Sequence, residues 1–133
     1  MMRLEHIGIA VKEEEDSTSL FARLLGNEAY KSEKVESEAV KTIFFELDNT
    51  KLELLQSLSQ DSAIDKFISK RGEGIHHLAF AVDDIKAEIS RLKAEGFTFV
   101  NEEPKAGADN KLICFLHPKS TNGVLIELCQ DKK

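Results

Sequence analysis

The chain has 133 residues, 18 basic and 24 acidic, for a net charge of −6 at neutral pH. The length suits one domain with a shared core, since a half-chain alone would be marginal. The acidic balance disfavours a nucleic-acid duplex, whose binding rests on cations that neutralise phosphates, but leaves room for a small anion held by a few lysines.

Residues 3–11 alternate loosely and carry Ile and Val, which predicts a strand. After the charged turn at 12–16, Asp16 or Ser17 caps a helix to Leu25, with Leu20, Phe21, Leu24 and Leu25 inward and Gly26 as its stop. Strands are expected over 28–36, 39–47 and 51–56, the last two joined by the Asp48-Asn49-Thr50 turn. A short helix with Ile64, Phe67 and Ile68 inward precedes the breakers Gly72 and Gly74. Residues 75–82 read as a strand, and Asp83 or Asp84 caps a helix through Glu95, closed by Gly96. Strands over 97–100, 111–117 and 123–130 complete the pattern, with a loop at 101–110 and a turn at 118–122. Each half therefore reads strand, helix, then three strands, an α+β arrangement. Cys114 and Cys129 fall inside apolar strands and are expected to be buried, reduced thiols. No charged-then-apolar leader and no apolar run of spanning length is read, so a cytoplasmic home without membrane contact is expected.

The halves repeat one another. Leu4-Glu-His-Ile-Gly-Ile-Ala-Val11 matches Ile75-His-His-Leu-Ala-Phe-Ala-Val82, which places His6 on His77. Thr50-Lys-Leu-Glu-Leu-Leu-Gln56 matches Val124-Leu-Ile-Glu-Leu-Cys-Gln130, which places Glu53 on Glu127. The domain is read as 1–133, with repeat one over about 1–70 and repeat two over about 71–133. Glu53 and Glu127 each stand in an otherwise apolar strand, and a carboxylate there needs a cation or a wet cavity. Two imidazoles and two carboxylates suit zinc, cobalt, nickel, manganese or iron. A lone strand His is more often structural, and a lone strand Glu often faces solvent; it is the pairing of both in two matching repeats that points to metal. The same register puts His76 on Glu5, on the other face, as a surface or core-edge residue. His117, beside Pro118, has no counterpart and reads as structural.

These segments resemble the vicinal oxygen chelate superfamily, the glyoxalase-like proteins. Within it, Phe115-Leu-His-Pro-Lys-Ser120 leading into Gly123-Val-Leu-Ile-Glu-Leu128 is most similar to methylmalonyl-CoA epimerases, with His6–Val11, Thr50–Leu55 and Gly72–Phe80 shared more loosely across the superfamily. The resemblance implies two tandem βαβββ modules packed as one glyoxalase/bleomycin-resistance-type domain. It implies a divalent metal ion (cobalt, zinc, manganese or nickel) on His6, Glu53, His77 and Glu127, although some epimerases carry Gln where Glu53 stands. It implies an isomerase that interconverts (2R)- and (2S)-methylmalonyl-CoA by proton abstraction at C2 through a metal-stabilised enolate. Glu127 and then Glu53 are the catalytic candidates, and Glu46 is a weaker one. In some relatives a Glu in the strand before the first hairpin is a proposed base, and Thr42 stands at that place here. Lys105, Lys119 and Ser120 are expected to bind the acyl-CoA substrate, and a homodimer is expected. The alternatives are a glyoxalase I-like lactoylglutathione lyase, which needs the same metal and proton transfer, and a small-molecule binder of the superfamily without catalysis.

Overall fold

The inner strands carry buried side chains on both faces, and Glu53 and Glu127 interrupt their apolar runs. The structure is a computed structural model that describes residues 1–132. It divides into two compact units, residues 6–76 and residues 1–5 with the chain from His77 onward.

In the unit of residues 6–76, strand β1 (Arg3–Ala10) leads to helix α1 (Glu14–Leu25). Strands β2 (Lys31–Val35), β3 (Val40–Glu46) and β4 (Lys51–Ser57) follow, then helix α2 (Ala63–Arg71). The strand order is β2-β3-β4-β1, with β1 and β4 parallel and the other pairs antiparallel. Alternation assigns Ile7, Ile9, Ile43, Phe45, Leu52 and Leu54 to one face, where Phe21, Ala22 and Leu25 of α1 pack on them. Ala10, Val40 and Leu55 face the other way and meet Ile64, Phe67 and Ile68 of α2. The α2 expectation therefore holds. For α1, Leu20 and Leu24 are instead exposed. Ala22, not Leu20 or Leu24, completes the half-buried stripe, because Ala22 and Leu25 (i, i+3) and Phe21 and Leu25 (i, i+4) share one helix face while Leu20 and Leu24 fall beside it. Gly26 ends it in a left-handed conformation (φ 74°) that favours glycine, its N–H donating to Ala22 O.

The other unit repeats the plan. Strand β5 (Gly74–Ala81) leads to helix α3 (Ile85–Ala94), then β6 (Lys105–Ala106), β7 (Lys111–Leu116) and β8 (Ile126–Asp131). Their order is β5-β8-β7-β6, again with the first pair parallel and the rest antiparallel. Ile85, Ile89 and Leu92 of α3 pack on Cys114, Leu116 and Leu128. The expected strand at 97–100 is only a single bridge, Phe99 to Leu116. The ladder partner of β7 comes instead from the segment expected to be a loop, at Lys105–Ala106. Pro118 to Ser120 is a short 3-10 turn, and β8 begins at Ile126, later than expected, because Gly123 takes a left-handed conformation (φ 84°). With these adjustments both units are βαβββ modules of an α+β glyoxalase-type fold.

Candidate metal centre

The two units place their histidine and glutamate by the same register. In the parallel pair β1/β4, Gly8 stands opposite Glu53; in β5/β8, Ala79 stands opposite Glu127. His6 and His77 each lie two residues before that small residue, and so on the same sheet face as the glutamate. The small residue between them leaves the imidazole free to lean toward the carboxylate. His6 Nδ1 is 3.1 Å from Glu53 Oε2, and His77 Nε2 is 3.0 Å from Glu127 Oε1. All four are buried, at 4 to 5% exposure. A phenylalanine flanks each pair on the next strand: Phe44 stands opposite Glu53 and Phe115 opposite Glu127. The Phe115 ring meets His77 edge-on at 5.9 Å.

This donor set fits a metal. Buried carboxylates are costly without a cation or a full set of hydrogen bonds. Imidazole nitrogen with carboxylate oxygen is the chemistry that first-row divalent ions accept. His6, Glu53, His77 and Glu127 each belong to a cluster of buried side chains able to ligate a metal.

The electrostatics are not symmetric. Lys51 stands opposite His6 and brings Nζ to 3.9 Å from Glu53 Oε2, with 14% of its side chain exposed. Repeat two has the apolar Leu125 where repeat one has Lys51. Lys51 therefore offsets the charge that Glu53 adds relative to a glutamine. A third buried carboxylate, that of Glu5, lies with Oε2 3.8 Å from Lys111 Nζ. Sequence reasoning missed both cations, since a lysine at a strand end reads as solvated. Burial, and next the charge of Glu127, push the Cys114 thiol up to about 12. It stays protonated at neutral pH and is no nucleophile.

A further repeated residue holds the scaffold. Gln56 Oε1 accepts from Glu14 N at 2.5 Å, and Gln130 Oε1 accepts from Ile85 N at 2.7 Å. Each glutamine lies three residues past a site glutamate and ties the last strand of its unit to the start of the helix that precedes it in the chain. Its signal was present in the matched segments, both of which end in Gln.

The remaining expected residues differ in their exposure. Lys105 and Lys119 are exposed, Lys105 on β6 and Lys119 in the turn before β8. Ser120 Oγ accepts from Thr98 N at 2.9 Å and lies 2.8 Å from Thr98 Oγ1. Glu46 is exposed at the hairpin end. Thr42 is buried on the face of His6 and Glu53. His117 is structural: its Nδ1 accepts from Lys119 N at 3.1 Å and caps the turn. His76 packs edge-on against Phe67, with ring centroids 5.0 Å apart. Among the described residues no helix is long and apolar enough to cross a membrane.

The family model of the Glyoxalase/Bleomycin resistance protein/Dioxygenase superfamily matches residues 5–115, which agrees with the class that the paired βαβββ units and their His–Glu pairs define. Among relatives, the ethylmalonyl-CoA/methylmalonyl-CoA epimerase of Cereibacter sphaeroides is 42% identical over 130 residues, covering 96% of this chain and 97% of that one. The mitochondrial methylmalonyl-CoA epimerase of Homo sapiens is 39% identical over 129 residues, covering 96% and 73%. A Streptomyces coelicolor methylmalonyl-CoA epimerase variant, solved in complex with 2-nitronate-propionyl-CoA, superposes with a TM-score of 0.93 at 32% identity, covering 97% and 94%. Within this superfamily, the chain belongs to the methylmalonyl-CoA epimerase family.

Proposed function

We propose that the protein interconverts the (2R) and (2S) epimers of methylmalonyl-CoA, with His6, Glu53, His77 and Glu127 jointly holding one divalent ion, cobalt, zinc, manganese or nickel. The observation that carries the reading is the identical register of two buried His–Glu pairs, Gly8 against Glu53 and Ala79 against Glu127. A single His–Glu contact is common as structure; the same contact built twice from matched strands supports a shared ligand set. The metal-dependent superfamily and the epimerase relatives support the same choice.

The proton at C2 lies between a thioester and a carboxylate, so its loss places negative charge on carbonyl oxygen. A divalent ion bound by the four ligands supplies Lewis-acid stabilisation of that charge. The chain's own residues handle the proton. Inversion needs a group on each face of C2, one that accepts and one that returns a proton. Glu127 is the first such group in this reading and Glu53 the second, each a ligand that also exchanges a proton. The apolar walls at Phe44 and Phe115 keep bulk water from the carbanion-like carbon. Lys105 and Lys119 contribute cations to the coenzyme A phosphates, and Ser120 contributes a hydroxyl. The reading includes a homodimer, on the resemblance alone, and a cytoplasmic location.

The test uses metal-loaded protein and one epimer at a time in heavy water. Deuterium entry at C2 together with equilibration of the two epimers is expected, suppressed by a chelator and reduced by about 100-fold or more in Glu127→Gln. No exchange above that of the free metal ion contradicts the proposal and favours the glutathione hemithioacetal as substrate.

A further inference from the structure

Glu53 is a buried carboxylate with or without an ion, so its charge has to be balanced in the metal-free protein too. His6 Nδ1 lies 3.1 Å from Glu53 Oε2, but a neutral imidazole brings no net charge. Lys51 does, and its Nζ lies 3.9 Å from the same Oε2. The three residues belong to one unit. Lys51 and Glu53 are two apart on β4 and share a face, and His6 stands opposite Lys51 on β1. Only 14% of the Lys51 side chain is exposed. Its ammonium lies 5.6 Å from the centroid of the Phe44 ring, which stands opposite Glu53. A cation held over an aromatic face and shielded from water acts on its neighbours more strongly than one in solvent. Glu46, opposite Lys51 on β3, is exposed, so solvent screens a charge there.

We infer that Lys51 is a resident counter-cation for Glu53, a positioning residue that stabilises the metal-free site and loosens the site's hold on its ion. This rests on Glu53 being a metal ligand, as in the reading above, and not on which substrate the ion serves. In the metal-free protein the ammonium supplies the positive charge that the buried carboxylate needs. Once a divalent ion sits on that carboxylate, ion and ammonium are like charges beside one group, and they repel. The two effects have opposite signs. The same cation that keeps the empty site folded makes the filled site less favourable, so the ion exchanges more readily than the ligands alone would allow. A glutamine at position 53 carries no charge to balance, and the stabilising half of the role disappears with it.

The experiment compares wild type, Lys51→Met, Glu53→Gln and the double variant, all stripped of metal. Methionine keeps most of the apolar stem of lysine and removes the charge. The urea midpoint of each metal-free protein is measured, and then the dissociation constant for cobalt at one pH and one ionic strength. Lys51→Met is expected to unfold at lower urea than wild type and yet to bind cobalt about 10-fold more tightly. In the Glu53→Gln background, Lys51→Met is expected to leave the metal-free midpoint unchanged or to raise it, since the carboxylate it balanced is gone. A lysine that only packs would show losses of the same sign, lower stability together with weaker cobalt binding, and that result would overturn the assignment. So would an equal drop in midpoint in both backgrounds, or a Lys51→Met protein that matches wild type in both measurements. A wild-type protein that binds no cobalt would overturn the metal reading, and this assignment with it.

Discussion

Cys114 illustrates how far a single side chain is governed by its surroundings. It lies on the α3 side of β7, fully buried, and its thiol is pushed from an ordinary value of 9.0 up to about 12. Between those values the unfolded chain has lost a proton that the folded chain keeps. Stability therefore falls as pH rises above about 9. The expected result is a negative slope of urea-unfolding stability against pH in that range, shallower in Cys114→Ala. A thiol reagent at neutral pH should likewise modify Cys114 and Cys129 only on unfolding, since both are buried. The burial of these thiols was legible in the sequence, as were His6, Glu53, His77 and Glu127, because each polar residue interrupts an apolar strand in two matching places. Lys51 and Glu5 were not legible. Their burial follows from which strands lie side by side, and alternation within one strand carries no record of that.

At the scale of elements, the repeat explains why α1 starts without a side-chain cap of its own at Glu13. Gln56 supplies the acceptor from the neighbouring strand, as Gln130 does for α3. Gln56→Ala is expected to cost about 1 kcal/mol, in the range of a lost cap, measured by chemical denaturation. α3 retains a second cap, as Asp84 Oδ1 accepts from Ala87 N, so Gln130→Ala should cost less. A loss in Gln130→Ala exceeding that in Gln56→Ala would contradict this account of the caps. A different constraint acts at Gly107, where an added Cβ would lie 2.8 Å from two Ile113 carbons. Gly107→Ala should destabilise by about 1–3 kcal/mol. The helices and the two inner strands of each unit were legible because their periodicity is strong and their stops are glycines. The misplaced strand at 97–100 shows the limit. Phe97, Phe99 and Val100 have strand propensity, yet Phe97 and Phe99 serve to pack on the α3 core. The ladder position falls to Lys105 and Ala106, exposed residues with no strand signature.

For the whole molecule, the duplicated register is the feature that sequence and structure share most closely. It was visible as two matched segments before any contact was known, and each unit then builds its own His–Glu pair at almost the same distance. In the proposed function both pairs serve one ion, and epimerisation requires it. The most direct measurement titrates metal-free protein with cobalt while following the epimerisation of methylmalonyl-CoA, in wild type, His6→Ala and His77→Ala. Activity in the wild type should rise to a plateau at one equivalent per chain, and each single histidine variant should lose both tight binding and activity. A plateau at two equivalents, a variant that keeps one tightly bound ion on its remaining pair, or full activity in the metal-free protein would contradict the account.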